Sequence, residues 1–118
     1  MAESQPIDFA CETIEVEDLI RCSFQLKSSD YTVIRKLMDN GEMDIDSIAD
    51  STGLERSTVQ KSLQRLIDRD LARKRQVNIT SGGYKYIYSS VDKENIKERV
   101  TKLMEDWING AKSTLMEW

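Results

Sequence analysis

Three residues in one short stretch limit the possible fold more than any other feature of the chain. In IDSIADSTGLERSTVQKSLQRL, residues 45–66, the small Ala49, Gly53 and the branched Val59 fall at the offsets a helix-turn-helix demands. The spacing has a physical cause. Ala49 must be small where two helices cross closely, and Gly53 takes the positive φ of a tight turn without a Cβ clash. Val59 then anchors the second helix onto the first. After the motif, residues 66–79 read as a helix end and a strand, residues 80–84 as a glycine turn, and residues 85–89 as a returning strand. A hairpin so placed, over about residues 72–89, is a wing.

A motif of this kind points to duplex DNA, yet the formal charge of the 118-residue chain is −4, so the distribution of charge decides the matter. Residues 1–55 hold 13 acids and 4 bases, whereas residues 56–91 hold 8 bases and 2 acids. Residues 92–118 are nearly balanced, with 5 bases and 6 acids. The positive charge therefore sits on the second motif helix and the wing, the two elements that meet phosphate in such a domain.

Within the second helix, Val59, Leu63, Leu66 and Ile67 stand at i, i+4, i+7 and i+8 and form the core stripe. At about 100° per residue, Ser57, Thr58, Lys61, Gln64 and Arg65 project away from that stripe, with Gln60 on its flank and Arg56 in the first turn. Arg and Lys donate to guanine, Gln pairs bidentately with adenine, and Ser or Thr serves either. The predicted recognition helix spans about 55–70. On the wing, Arg73, Lys74 and Arg75 are consecutive and so point to both faces, which directs Arg73 and Arg75 to the candidate interface. Lys85 and the tip at Ser81 are placed for backbone or minor-groove contact. Tyr84, Tyr86 and Tyr88 alternate along the returning strand, and packing is the commoner role of such a stripe.

The length suits one domain. There is no histidine, and the only cysteines are Cys11 and Cys22, so the usual four-ligand zinc site and any Ser-His-Asp or Cys-His arrangement are excluded. No phosphate-cradling GxxxxGK loop or Rossmann glycine fingerprint occurs. These exclusions argue against an enzyme, a cofactor or a metal. A redox role for the two cysteines is the less favoured reading, since thiols in a reducing cytosol are usually unremarkable. No signal-like N-terminus and no apolar run approaching roughly 20 residues is present, so a cytoplasmic protein with no membrane partner is expected.

Residues 1–28 read as a loose acidic arm, to about residue 14, followed by a short helix carrying Val16, Leu19, Ile20 and Ser23. Residues 29–91 form the winged helix-turn-helix. Its first helix is expected to take Ser28 or Ser29 as its N-cap, to set Tyr31, Ile34, Leu37 and Met38 on one face, and to stop at Gly41. The next helix opens at Asp44 or Ile45 and turns Ile45, Ile48 and Ala49 inward. From residue 92 to 118, Ile96, Val100, Leu103, Trp107, Ala111, Leu115 and Trp118 recur at steps of 3 or 4, which predicts one helix of about 25 residues, about 37 Å long. Met104, Ile108 and the two tryptophans widen its stripe, and a second copy of the chain is the natural cover, making these seven residues the expected dimerisation set. Two recognition helices in a homodimer would read half-sites about 34 Å apart. The predicted fold is thus mostly α with a small β-hairpin wing, a winged helix-turn-helix plus a long C-terminal dimerisation helix.

Over about residues 26–91 the chain resembles the archaeal TrmB-like winged-helix regulators, neighbours of the MarR group. The residues carrying the resemblance are IADSTGLERSTV at 48–59, LQRL at 63–66, LAR at 71–73 and GYKYIY at 83–88. It implies a dimeric, sequence-specific transcription regulator with the second motif helix in the major groove and the wing on the flanking backbone. Two departures limit what carries over. Full-length TrmB proteins have a sugar-binding domain after the winged helix, whereas here one helix follows, so no sugar effector is carried over and a small-molecule effector stays unassigned. Glu55 also stands where the family usually has a small helix-capping residue such as serine. The competing reading is a winged helix that acts as a protein-interaction module of the transcription machinery, its acidic residues 1–55 facing a basic partner and no specific DNA being bound.

Overall fold

The computed structural model describes residues 5–118; residues 1–4 of the expected arm lie outside the described residues. Two short strands open the chain, β1 (Ile7–Phe9) and β2 (Glu12–Ile14), paired antiparallel with Ile7 opposite Ile14. The loose arm expected here is therefore a hairpin, closed by a turn in which Ala10 takes φ 51° and fastened by the Thr13 hydroxyl donating to Asp8 at 3.1 Å. Its apolar residues are too few to give a periodic signal. Helix α1 (Val16–Phe24) follows, as expected from its spacing.

Helix α2 (Ser28–Asn40) already contains both serines expected to cap it, and Lys27 is the capping residue instead. Its backbone N–H donates to the Asp30 carboxylate at 2.9 Å. Gly41 ends the helix with φ 79°. Helix α3 (Ile45–Thr52) is capped by Asp44, which accepts from the Ser47 N–H at 2.8 Å. Gly53 closes it at φ 74°, its N–H donating to the Ala49 carbonyl at 2.9 Å. Helix α4 (Arg56–Asp68) then crosses α2 and α3, and Ile48, Val33, Val59 and Leu66 at the crossing are wholly buried. Burying such side chains stabilises by about 1.5–3 kcal/mol each.

Strands β3 (Ala72–Asn78) and β4 (Tyr84–Ser90) form the wing, in register from Ala72 opposite Ser90 to Asn78 opposite Tyr84. The sheet is tied to the start of α3 by a bridge at Met43, whose N–H donates to the Tyr88 carbonyl at 3.0 Å while the Tyr88 N–H donates back at 2.8 Å. Tyr88 packs on the core, and burial pushes its phenol pKa above the ordinary value. Tyr84 and Tyr86 meet edge to face at 5.6 Å between ring centres.

Helix α5 (Lys93–Met116) ends the fold. Ile96 and Val100 were expected in a dimer seam; they are instead buried in the chain's own core with Phe24 and Val91. Arg99, between them, reinforces the docking: its guanidinium lies 4.8 Å over the Phe24 ring and donates to the carbonyls of Arg69 and Asp70. From residue 101 onward every residue is exposed, and the helix extends away from the body to give the molecule a long axis of 66 Å against 25 and 24 Å.

Candidate nucleic-acid interface

The exposed face of α4 presents Arg56, Ser57, Gln60, Lys61 and Gln64, with Thr58 half-buried. The cause is the stripe on its other side, where Val59, Leu63 and Leu66 are sealed and Ser62 is buried with them. Ser62 stays satisfied by donating its hydroxyl to Ser29 at 3.1 Å. Gln64 donates to Asp68 one turn on at 2.8 Å. Ser57, Gln60 and Lys61 make no side-chain hydrogen bond among the described residues, so their donors and acceptors face water. Glu55 precedes the helix without a side-chain capping bond.

Arg65 departs from its expected place. Its guanidinium is turned onto α2, where Nε and Nη2 clasp the buried Asp30 carboxylate at 2.8–3.0 Å. Burial by itself would raise the Asp30 pKa, but the Arg65 hydrogen bonds, aided by the Lys27 N–H, outweigh it and hold the group below its ordinary value of 3.8. Periodicity set Arg65 on an outward-facing position; a long side chain can nevertheless reach back to a neighbouring helix. Arg69 is also internal, donating to the Phe24 carbonyl at 2.6 Å.

The wing supplies exposed Arg73, Lys74, Arg75 and Lys85, with Ser81 exposed at its tip. Lys74 lies 4.6 Å over the Tyr86 ring. Three of the interface bases meet acids at the start of α3. Arg56 donates to Asp46 at 2.9 Å, Lys85 to Asp44 at 3.3 Å, and Arg75 to Glu42. The Asp44 pKa is lowered, first by the Ser47 N–H and hydroxyl and then by Lys85. Glu42, Asp44 and Asp46 recur at every second position just before and within the first turn of α3, and that alternation was the available signal. The structure thus gathers Arg56, Arg75 and Lys85, from a helix and both wing strands, around residues 42–46. It leaves Lys61 and Arg73 without an acidic partner among the described residues.

Among the described residues no group of His, Cys, Asp or Glu is arranged to hold a metal ion, and no helix is long and apolar enough to cross a membrane. Cys11 and Cys22 are exposed free thiols. The crevice between α5 and the winged domain is polar, lined by Asp70, Arg73, Asn95 and Arg99.

Comparison with known families settles the lineage of this arrangement. Residues 20–94 match the family described as sugar-specific transcriptional regulator TrmB. The chain belongs to the TrmB family. Two uncharacterized proteins of Methanocaldococcus jannaschii are relatives of this TrmB-family chain, one 37% identical over 107 residues, covering 91% of the chain and 81% of that protein, the other 36% identical over 100 residues. Among solved structures, a possible transcriptional regulator from Methanosarcina mazei Go1 superposes with a TM-score of 0.85 at 33% identity, over 97% of each chain. The ST1889 protein from Sulfolobus tokodaii superposes at 0.67 with 26% identity, over 80% of this chain and 93% of that one. The TrmB match runs from α1 to the first turn of α5 and so contains the whole winged helix.

Proposed function

We propose that this TrmB-family chain is a sequence-specific, double-stranded-DNA-binding transcription regulator of the cytoplasm, acting as a homodimer and not as an enzyme. Helix α4 enters the major groove and the wing lies on the backbone or minor groove. The observation that carries this reading is the convergence of Arg56, Arg75 and Lys85 from separate elements beside the exposed Ser57, Gln60 and Lys61 of α4. Bases at the edge hold phosphate and fix register; the polar face between them reads base edges. Arg65 leaves the reading set and serves instead to hold α4 at its angle.

The test is the salt dependence of binding to duplex DNA. Three phosphate contacts per protomer, from Arg56, Arg75 and Lys85, make six per dimeric complex and give a slope of roughly −5 in log K against log salt. A second reading, a protein-interaction module, draws on the acids at 42, 44 and 46, which offset the bases around them. That reading gives no salt-sensitive DNA affinity, and the same titration separates the two.

A further inference from the structure

Beyond Val100, α5 leaves its own domain with a bare apolar face: Trp107 is 67% exposed and Trp118 98%. Between the two tryptophans lies an open notch floored by Gly110, Ala111 and Thr114 and walled by Leu115. Gly110 is the informative residue. Glycine weakens a helix interior relative to alanine, yet nothing stands within 4 Å of where a Cβ on Gly110 would lie. The chain's own fold gives no reason for glycine there, so the reason must approach from outside.

We infer that the occupant is the same helix of a second copy, running antiparallel, with each Trp107 seated in the Gly110–Ala111–Thr114–Leu115 notch of the other. This rests on the homodimer reading and fixes its geometry. A knob entering a hole of four residues sets the register. With Trp107 level with the middle of the notch, the two-fold axis crosses between Asn109 and Gly110. Residues whose numbers sum to about 219 then share a level, which puts Met104 beside Leu115 and Ile108 beside Ala111. At about 100° per residue these four lie on one flank of the stripe, and a two-fold axis perpendicular to both helices keeps that flank on one side, so they meet. A parallel pair does the opposite. It sets Trp107 against Trp107 and Trp118 against Trp118, and leaves Gly110 and Ala111 facing a void, which packing disfavours.

The spacing supports a long contact. Trp107 and Trp118 stand 11 residues apart, three turns at about 3.67 residues per turn, close to the period of a straight helix, so both lie on one face within the overlap of residues 101–118. The geometry also suits the proposed function. Ile96, where α5 docks on its domain, lies about 20 Å from the axis at 1.5 Å per residue, which sets the two docking points about 40 Å apart, comparable to one turn of duplex.

Site-directed cross-linking tests the orientation. In a Cys11→Ser, Cys22→Ser background, Met104→Cys and Leu115→Cys are made as separate proteins, mixed to allow exchange, and treated with the thiol oxidant diamide. Neither alone forms a disulfide-linked dimer, whereas the mixture does. Self-cross-linking of either single variant overturns the antiparallel register. A mixture that stays uncross-linked while light scattering reports a dimer overturns the antiparallel register, and a monomer mass overturns the homodimer reading itself. As a second variant, Gly110→Leu fills the notch without touching its own chain, and is expected to weaken dimerisation roughly tenfold or more while leaving helix content undiminished. Unchanged dimerisation in Gly110→Leu counts against the seating of Trp107.

Discussion

Asp30 and Arg65, 35 positions apart, form the ion pair that fastens the candidate recognition helix to the rest of the domain. The Asp30 carboxylate is wholly buried and accepts from Arg65 Nε at 2.8 Å and Nη2 at 2.8 Å, and from the Lys27 N–H at 2.9 Å. No buried side-chain oxygen or nitrogen is left without a partner among the described residues. Removing one member of such a pair strands the other. Asp30→Ala is therefore expected to lower stability by roughly 3 kcal/mol in urea denaturation, while Asp30→Leu combined with Arg65→Met is expected to cost much less. Equal losses in the single and paired variants would refute the stranding argument.

The same pair sets a pH dependence. Asp30 has a lowered pKa in the folded state, so folding favours its ionised form. Its contribution is complete above the ordinary carboxylate value of 3.8, and is lost as pH falls from there through the lower folded-state value. Urea midpoints measured from pH 7 down to pH 2.5 should show the stability gap between the wild type and Asp30→Asn narrowing only below about pH 4. A gap that narrows between pH 7 and pH 5 contradicts the assignment.

Arg65 and Lys61 occupy the same helix one turn apart but should fail differently. Lys61→Ala removes an exposed charge from the face proposed to read base edges, so it is expected to reduce DNA affinity and relax specificity with stability within about 0.5 kcal/mol. Arg65→Ala should instead lower the denaturation midpoint. Parallel binding and unfolding titrations on the two proteins check this, and a loss of affinity in Arg65→Ala at unchanged stability would return Arg65 to the reading set.

The acids at 42 and 46 pair with Arg75 and Arg56, and on the proposed DNA interface they would compete with phosphate for them. Exposed pairs of this kind contribute about 0–1 kcal/mol to folding, so their effect on stability is small. Their effect on a polyanion is larger, because each acid repels it. Glu42→Gln with Asp46→Asn is expected to tighten binding to arbitrary duplex severalfold and to steepen the salt slope, measured by fluorescence anisotropy. Asp44 is left in place because it caps α3. Unchanged affinity in the double variant would mean that neither acid faces the nucleic acid.

Much of the fold was legible because local and tertiary preferences agree. Ala49, Gly53 and Val59 specify the motif through sterics, and Gly53 adopts the expected left-handed turn at φ 74°. Gly53→Ala is accordingly expected to cost about 1–2 kcal/mol in unfolding free energy. The wing was legible from its glycine turn. What escaped the sequence was decided across elements. The β1–β2 hairpin has too few apolar residues to show periodicity. Arg65 and Arg69 have the spacing of surface residues, and only the folded chain brings Asp30 and the Phe24 carbonyl within their reach. Ile96 and Val100 belong to the same stripe as Leu103 and Trp107, and periodicity alone could not divide it into a half that docks on its own domain and a half that stays bare.

The most direct test of specific DNA reading is selection of fragments of the source genome by the purified protein near physiological salt, followed by sequencing of what is retained. Enrichment of a short inverted repeat, with half-sites about one helical turn apart, is the expected result. Retained fragments indistinguishable from bulk DNA would contradict a sequence-specific regulator.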